Sequence, residues 1–494
     1  MRSAKSTERP FAPRAYGVLE RVTPRVYLFR NVVNSVVVLG DDAVAVIDTQ
    51  VNAPMARRLL AQVRALSDKP LRWAVNTHYH WDHTAGNGVF REAGATLVSS
   101  ALTRQFMHTR AARQQAFLAS RGFELGPEPC LADETVAGER KLDLGNQRLV
   151  LKPLGAAETD DALAMHLPQE GCVATGDTVM TGSFPMFGQP VMDEGLMGTA
   201  RWLDTLAAIE CLAPDHILPG HGPVAYEAEL SLLKRLERYF LDEVADRVAR
   251  GLPLPVLLAD LEARLPAWIT TIPVVWGTPR YAILRVYRGL VQGEGDEPGW
   301  QQYKPSAIPC PDAARVSTAC EGLTAVASFQ AAAREFAEGG DPGSAIATAR
   351  RATECLPDEP AAWVCLADHL VRGAVYTASV LEKGDFFAPA RDALHHALDL
   401  DPAYAPARLA LGRFLVMSAY RNGNDPDPGM AHLHHVIDAA PQDAALLADA
   451  HFYLGMAHRT QADEPQARAA FTTALRHLPT HRAARLALGA SEAP

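Results

Sequence analysis

Three histidines and one aspartate fall within positions 78–83, directly after a short apolar run. His78 and His80 are two residues apart, so on a nearly extended backbone their imidazoles point to the same side and can share one ion. Asp82 and His83 follow a bend in the chain and can face a second ion nearby. Imidazole and carboxylate ligands together suit zinc, and iron or manganese can replace it. A solvated loop has no reason to select this spacing, so the segment predicts a metal site.

Later strands lead to further candidate ligands. The apolar runs 162–167 and 172–175 read as strands, with Glu158 in the turn before the first and Asp177 in a Gly-Asp turn after the second. A third strand runs into a Gly-His-Gly turn around His221. Glycine on both sides allows a tight turn that exposes the imidazole.

The order of the predicted elements indicates how these residues are positioned. Residues 20–50 read as three strands, and a further strand at 71–75 precedes the histidines. Helical periodicity covers 55–66 and 102–119. A β-rich opening followed by alternating strands and helices predicts layered α/β sheets with helices outside. Asp48, at the end of the third strand, is either a strand-end cap or a support for the metal loop.

Length and composition limit the function classes. A chain of 494 residues predicts two to four domains, and 48% hydrophobic with 21% charged residues describes a globular protein. The net charge of -10 argues against a nucleic-acid partner, which would need a basic surface. No run of about 18 apolar residues and no apolar leader are visible, so no membrane partner is expected. Seven scattered cysteines without a CxxC pair predict reduced thiols and a cytoplasmic protein.

The combination of these motifs resembles the metallo-β-lactamase superfamily over about residues 15–225. The resemblance implies an αββα sandwich that holds two metals at one edge of its sheets. The residues that carry it are the histidine cluster, the Gly-Asp pair and the Gly-His-Gly turn, namely His78, His80, Asp82, His83, Asp177 and His221.

One position resembles a particular branch of that superfamily. Most members have a Gly-His-Thr turn before the strand at 162–167, whereas this chain has Ala-Glu-Thr around Glu158. A glutamate there is a feature of the alkylsulfatase-like branch, and residues 276–287 resemble the segment that joins the catalytic and helical domains of those enzymes. Alkylsulfatases also resemble one another in an arginine-rich stretch after the second acidic ligand. The corresponding residues 178–200 contain no arginine, so the substrate class stays open.

The resemblance implies a ligand set for two Zn²⁺ ions per chain, with Mn or Fe as substitutes. Asp177 bridges the two ions, and Asp82 also orients the shared hydroxide, which makes it the catalytic residue. The other possibility for Glu158 is a solvated turn acid, in which case Asp160 is the alternative ligand. The expected ligands are His78, His80 and Glu158 for the first ion, and Asp82, His83 and His221 for the second.

An apolar loop punctuated by Pro and Gly follows Asp177 and covers residues 180–192. Loops of this length are usually functional or are covered by another element. The first interpretation is that its side chains wall an apolar substrate pocket, and the second is that they pack beneath the helical region that follows. The expected pocket residues are Tyr79, Trp81, Phe184, Phe187 and Met192.

Four regions are predicted along the chain. A catalytic domain at 1–225 precedes a helical extension at 226–300, a linker at 301–319 that is Pro-rich up to Pro311, and Ala-rich helices at 320–494. In the last region, Pro357, Pro402, Pro441 and Pro479 follow similar helical runs at intervals of 45, 39 and 38 residues. The pattern resembles degenerate tetratricopeptide repeats, whose period is about 34 residues. Such repeats would self-associate or bind a protein partner.

The sequence favours a dinuclear metal hydrolase that cleaves an ester-type small molecule with an apolar portion, with sulfate esters among the candidates. One alternative is a tetratricopeptide scaffold with a structural, non-catalytic metal site, which would be closed to water. A lactone or lactam hydrolase is the other alternative. Nuclease activity is disfavoured by the acidic charge.

Overall fold

The computed structural model describes residues 17–119, 129–187, 199–275, 277–291, 308, 310–374, 383–422, 424–439, 442–461 and 463–489. Backbone contacts divide the chain into two compact units. The first contains the described residues up to 291, and the second contains those from 308 onward. The four predicted regions are finer than this division, so their boundaries stay predictions.

The first unit contains two β-sheets, and the first of these places its strands in sequence order. Its pairs are antiparallel from β1 to β4 and parallel from β4 to β7. Among the described residues its strands are β1 (Val18–Arg21), β2 (Val26–Arg30), β3 (Ser35–Leu39), β4 (Val44–Ile47), β5 (Leu71–Val75), β6 (Thr96–Ser100) and β7 (Glu134–Val136).

The second sheet has the order β12-β11-β10-β9-β8. Its pairs are antiparallel except β11 and β12, which are parallel. Its described strands are β8 (Arg140–Asp143), β9 (Arg148–Gly155), β10 (Ala162–Leu167), β11 (Cys172–Met180) and β12 (His216–His221).

Strands that are apolar on both faces pack the two sheets together and also hold helices outside. Alternate residues of a strand point to opposite faces. Val36 and Val38 lie in the core between the sheets, together with residues of the second sheet such as Leu163. Val37, between them, faces the outer core with Leu59. All of these side chains are buried, so one run of valines serves two layers.

Helices cover the outer face of the first sheet. The longest is α1 (Ala53–Leu66), where the side chain of Asn52 accepts a hydrogen bond from the amide of Met55 at 2.9 Å and so caps the first turn. The predicted helix at 102–119 is wrong in one respect, because the chain breaks at Arg110 into two helices. The other helices of this region are α2 (Trp81–Thr84), α3 (Asn87–Glu92), α4 (Ala101–Thr109) and α5 (Ala111–Ala119).

A second helical layer packs on the other sheet. Its core joins Val179 and Ile217 of the sheet to Trp202, Phe240 and Ile283 of the helices. The predicted αββα sandwich is therefore confirmed. The helices of this layer are α6 (Thr199–Glu210), α7 (Glu227–Ala249), α8 (Leu254–Ala263), α9 (Ala267–Thr270) and α10 (Pro279–Val291).

The described part of the second unit is helical, and consecutive helices pack against each other. Small residues allow close approach, as at Gly455, where an added Cβ would overlap the ring of Phe471. These helices are α11 (Ala313–Cys320), α12 (Val326–Glu338), α13 (Pro342–Cys355), α14 (Pro360–Gly373), α15 (Gly384–Leu400), α16 (Ala405–Asn422), α17 (Asp427–Ala439), α18 (Ala444–Thr460), α19 (Glu464–His477) and α20 (Arg482–Ala487).

The predicted helical C-terminal region is thus confirmed, while its assignment to tetratricopeptide repeats stays a prediction. Within the described ranges, no helix has both the length and the apolar character needed to cross a membrane.

Candidate metal centre

The histidine loop begins where β5 ends, at the carboxyl edge of the parallel strands of the first sheet. Asp48 follows the neighbouring strand β4 and lies at the same edge, because parallel strands end on the same side. From the second sheet, Glu158 comes from the turn between β9 and β10, and His221 ends β12. The two sheets therefore contribute ligands from facing edges.

The position of Asp177 differs from the prediction of a turn after the strand. It lies within β11, which continues to Met180. Gly176 adopts a φ of +52°, and the pairing of β11 with β12 shifts register on both sides of this glycine. This irregularity re-aims the side chain that follows, as β-bulges beside active sites do.

The candidate ligands form two groups in space. In each group, one donor atom per residue lies within 4.8 Å of all the others. This division matches the predicted one, and the metal-binding roles themselves stay predictions. The groups are His78, His80, Glu158 and Asp177 on one side, and Asp82, His83 and His221 on the other.

Asp177 lies between the two groups. Its Oδ2 is 4.0 Å from Nε2 of His78 and 3.3 Å from Nε2 of His221, and its Oδ1 is 3.2 Å from Nε2 of His83. A carboxylate with both oxygens in reach of imidazoles from both groups can bridge two ions. Asp82 completes the second group, with its Oδ2 3.3 Å from Nε2 of His221.

Hydrogen bonds at the opposite ring nitrogens orient three of the imidazoles. Nδ1 of His83 contacts Oδ2 of Asp48 at 2.8 Å, Nδ1 of His221 contacts the carbonyl of Val32 at 2.6 Å, and Nδ1 of His78 contacts Oγ1 of Thr77 at 3.0 Å. With Nδ1 engaged in this way, Nε2 is the nitrogen that faces the centre and could bind an ion.

His80 faces the centre through the other nitrogen. Its Nδ1 lies 3.4 Å from Oε2 of Glu158. Glu158, and not the alternative Asp160, therefore belongs to the group.

Asp48 holds the histidine loop in place, which favours the second of the two interpretations left open by the sequence. Its carboxylate accepts hydrogen bonds from the amide and the hydroxyl of Thr77, both at 2.8 Å, besides its contact with His83. Its backbone φ of 60° lies in the left-handed region, which a residue other than glycine occupies at a cost of about 1 to 3 kcal/mol. Such strain at a residue that orients a ligand is typical of functional sites.

Two buried asparagines that no sequence motif marks continue this network. Asn76 donates to the carbonyl of His83 at 3.1 Å, and Asn87 donates to Oδ1 of Asn76 at 2.9 Å. Thr49 donates to Oδ1 of Asn87 at 2.8 Å. A single asparagine next to a loop carries no sequence signal of burial, since this residue type is usually exposed.

The donor set fits divalent cations. Within the described part of the chain, no residue makes a well-formed hydrogen bond with Nε2 of His78, Nε2 of His83 or Oδ1 of Asp177, although all three atoms are buried. Buried polar atoms are normally paired, so atoms that converge without partners indicate a ligand. Four carboxylates gather here, and two divalent ions would balance their charge. They are Asp48, Asp82, Glu158 and Asp177.

Electrostatics agree with a cation site. Burial acts to lower the pKa of both His83 and His221, yet nearby Asp177 and Asp82 raise the pKa of His83 well above its usual value and that of His221 to about 10. Burial likewise acts to raise the pKa of Asp177, but His221 and His83 hold it well below the usual value. The carboxylate of Asp177 thus stays ionised and attracts positive charge.

Glycines allow the two sheets to approach at the centre. A Cβ at Gly220 would overlap Oδ1 of Asp177 and approach the ring of His83, and a Cβ at Gly176 would overlap Oγ1 of Thr77. The absence of a side chain at these positions places the acidic ligand against the histidine loop.

A family model for the metallo-beta-lactamase superfamily matches residues 28–239, which include all seven candidate ligands. This region is a metallo-β-lactamase domain. The predicted membership of this region in the metallo-β-lactamase superfamily is confirmed.

A curated relative of part of the chain is an alkylsulfatase. A linear primary-alkylsulfatase of Pseudomonas sp. (strain ATCC 19151) is 22% identical over 312 residues, which are 53% of this chain and 55% of the relative. The chain thus spans about half the length of this curated relative.

Two solved structures share the fold. The stereoselective inverting sec-alkylsulfatase Pisa1 from Pseudomonas sp. has a TM-score of 0.54 at 16% identity, covering 77% of this chain and 65% of its own. A double mutant of the same sec-alkylsulfatase has a TM-score of 0.54 at 16% identity, covering 76% and 66%.

In the metallo-β-lactamase domain, two of the expected pocket residues lie in the core. Phe184 and Phe187 are fully buried and stack at 5.8 Å between ring centroids. Their rings pack against Phe240 at 5.9 Å, and Phe187 packs against Trp202 at 5.4 Å. The geometry favours the second interpretation of this loop, in which these side chains pack beneath the helical layer. Met192 lies outside the described residues.

The other two expected pocket residues are inside the histidine loop. Tyr79 is buried, its ring packs on Phe106 at 5.4 Å between centroids, and its hydroxyl accepts a hydrogen bond from Arg110 at 3.3 Å. Trp81 is partly exposed and packs on the core beneath α1 and α3. Their role in substrate binding stays a prediction.

Proposed function

We propose that this chain is a dinuclear metal hydrolase that cleaves an ester-type small molecule with an apolar portion, with sulfate esters as the leading class. The observation that carries the proposal is the pair of ligand groups with Asp177 between them. Two divalent ions, zinc in the first instance, would lower the pKa of a shared water and polarise the oxygen of the scissile bond.

Asp82 is the group that we assign to orienting the attacking water. Its side chain is 16% exposed, whereas those of His83 and His221 are 0% and 3% exposed. It is therefore the ligand of the second group that solvent reaches, and its carboxylate can accept a proton from a water held beside His221. A centre open to water on this side favours catalysis over a purely structural role.

Glu158 gives the first group an additional negative charge. A carboxylate in place of a neutral imidazole makes the ion a weaker electrophile and suits harder ions such as manganese or iron. The relatives whose names describe alkylsulfatases favour a sulfate ester. Because residues 178–200 contain no arginine, lactones and lactams remain the second candidate class. We further propose that the C-terminal helices serve self-association or the binding of a protein partner.

The test combines metal analysis with a substrate panel. Purified wild type, Glu158→Ala and the control Asp160→Ala are analysed for bound metal and for turnover of alkyl sulfates, aryl and alkyl esters, lactones and a cephalosporin. We expect about two metals per chain in the wild type and in Asp160→Ala, and loss of metal and turnover in Glu158→Ala. Wild type with neither metal nor turnover would rule out the enzyme and leave the helical scaffold.

A further inference from the structure

The turn that carries Glu158 is held by an arginine from a distant helix. Arg285 of α10 is 3% exposed and donates hydrogen bonds to two consecutive carbonyls, from Nη2 to Ala157 at 2.5 Å and from Nη1 to Glu158 at 3.1 Å. A planar guanidinium offers two parallel donors in a fixed geometry. The contact therefore fixes the orientation of the peptide groups from which the Glu158 side chain extends.

The same arginine is linked to Asp177, the second acidic candidate ligand, through Trp202. Its guanidinium carbon lies 5.0 Å from the ring centroid of Trp202, within the range of a cation–π contact. Nε1 of Trp202 donates to the carbonyl of Thr178 at 3.1 Å, directly after Asp177. The turn before β10 and the strand β11 thus share one support behind the metal centre.

Arg285 and Glu237 are two ionisable side chains buried in the apolar core behind the metal centre. Arg285 lies close enough to Glu237 of α7 for charge attraction, and Glu237 is fully buried. Burial raises the pKa of Glu237 well above its usual value, and its carboxyl accepts no hydrogen bond from the described residues. Apolar side chains of similar volume would often be at least as stable at such a site. Stability alone therefore does not explain an arginine at this position.

We propose that Arg285 is a positioning residue of the metal centre: by holding the carbonyls of Ala157 and Glu158, it sets the affinity of the His78, His80 and Glu158 group for its ion. The inference rests on the proposed function, since it assumes that this group binds a metal. It extends that function because the affinity for one of the two ions would depend on a residue of helix α10.

The experiment uses Arg285→Lys, because lysine keeps a positive charge near Glu237 but cannot donate two parallel bonds to neighbouring carbonyls. The full-length protein is stripped of metal and titrated with Co²⁺, and a chelator competition followed by visible absorption yields the affinity of each equivalent. Arg280→Lys is the control on the same helix, where the guanidinium of Arg280 pairs with the carboxylate of Glu262.

We expect one Co²⁺ equivalent to bind about 10- to 100-fold more weakly in Arg285→Lys, while the other stays within about twofold of the wild type. Both equivalents are expected to stay unchanged in Arg280→Lys. Unfolding of the metal-free proteins is measured in parallel. A merely structural role would lower the melting temperature of metal-free Arg285→Lys and leave the ratio of the two affinities unchanged, which would overturn the proposal.

A double variant covers the case in which Arg285→Lys does not fold. Arg285→Met combined with Glu237→Met removes both ionisable groups from the core, so no uncompensated charge stays buried. Selective weakening of one equivalent in this variant supports the proposal, and two wild-type affinities overturn it. A wild type that binds no divalent metal overturns the proposed function as well, whereas a wild type with two metals and an unaffected Arg285→Lys overturns only this inference.

Discussion

The loop that carries His78 to His83 and the segments that carry Glu158 and Asp177 meet at one centre, but different parts of the molecule hold them. The loop is held by hydrogen bonds from neighbours at the edge of its own sheet, with Asp48 and Asn76 at the centre of the network. The acidic ligands are held from behind by an aromatic core and by Arg285.

The difference indicates that two kinds of substitution would disturb the arrangement of the candidate ligands, each in its own way. A lost hydrogen bond in the loop would misdirect a ligand without unfolding the sheet, because the strands on either side remain paired. A lost side chain behind the acidic ligands would weaken the packing of a whole helical layer. Substitutions in the two regions test whether the two supports can be disturbed separately.

Phe187→Ala should have the largest effect, on stability. Removing a fully buried ring leaves a cavity beside Phe184 and Trp202, which typically costs about 3 to 5 kcal/mol. The free energy of unfolding is measured with denaturant, with Leu232→Ala as the exposed control on the neighbouring helix α7. A decrease in the free energy of unfolding below about 1 kcal/mol, together with a changed preference for alkyl chain length, would instead support a role of Phe187 in the substrate pocket.

Asp48→Asn should reduce metal affinity while leaving the fold largely intact. The amide nitrogen of an asparagine cannot accept the Nδ1 proton of His83, so His83 would turn its protonated Nε2 toward the ion. We expect the affinity of the second group for its metal to fall by about 10- to 100-fold. Equilibrium dialysis measures this affinity, with the exposed Asp68→Asn as the matched control. An equal decrease in the free energy of unfolding in Phe187→Ala and Asp48→Asn would show that the hydrogen-bond network and the aromatic core are not separate supports.

Thr205→Val should have a smaller effect on the acidic side. The hydroxyl of Thr205 donates to the carbonyl of Ala156 at 2.5 Å, next to the carbonyls that Arg285 holds. Loss of this buried bond should cost about 1 kcal/mol in the free energy of unfolding. Thr109→Val removes a hydroxyl bond to a carbonyl on an exposed helix and should cost less. Equal costs would argue that the turn is not specifically supported by α6.

The smallest expected effect is a pH dependence confined to the helical support. The usual pKa of a glutamate, 4.5, is raised by burial at Glu237, so the folded state keeps this proton to higher pH than the unfolded chain does. The stability contributed by Glu237 is therefore complete below about pH 4.5 and is lost as the pH rises through the folded pKa. We expect Glu237→Gln to gain stability over the wild type as the pH is raised, with no difference in acid. Denaturation curves of both proteins between pH 4 and pH 9 measure the free energy of unfolding. A difference between the two proteins that does not change with pH would contradict the prediction.

The same contrast explains what the sequence could predict. The histidine loop is a local motif, and the continuous apolar runs of β3 and β4 predict strands that are buried on both faces, so the cluster and its sheet could both be inferred. The acidic ligands were found through their position after apolar strands and through the family resemblance. The supports behind them carry no such signal, because Arg285 and Glu158 are 127 positions apart. Phe184 and Phe187 show the same limit, since an apolar loop beside a ligand fits a pocket and a core equally well until burial is known.

The glycines at 176 and 220 limit how this centre can evolve. Each occupies a point where a single added carbon atom would collide with the histidine loop of the other sheet, at Thr77 or at His83, so enlarging either glycine would force the two sheets apart. Under the proposed function, we therefore expect changes of metal preference and substrate to come from exchanged ligands and altered outer loops, and not from a changed spacing between the sheets.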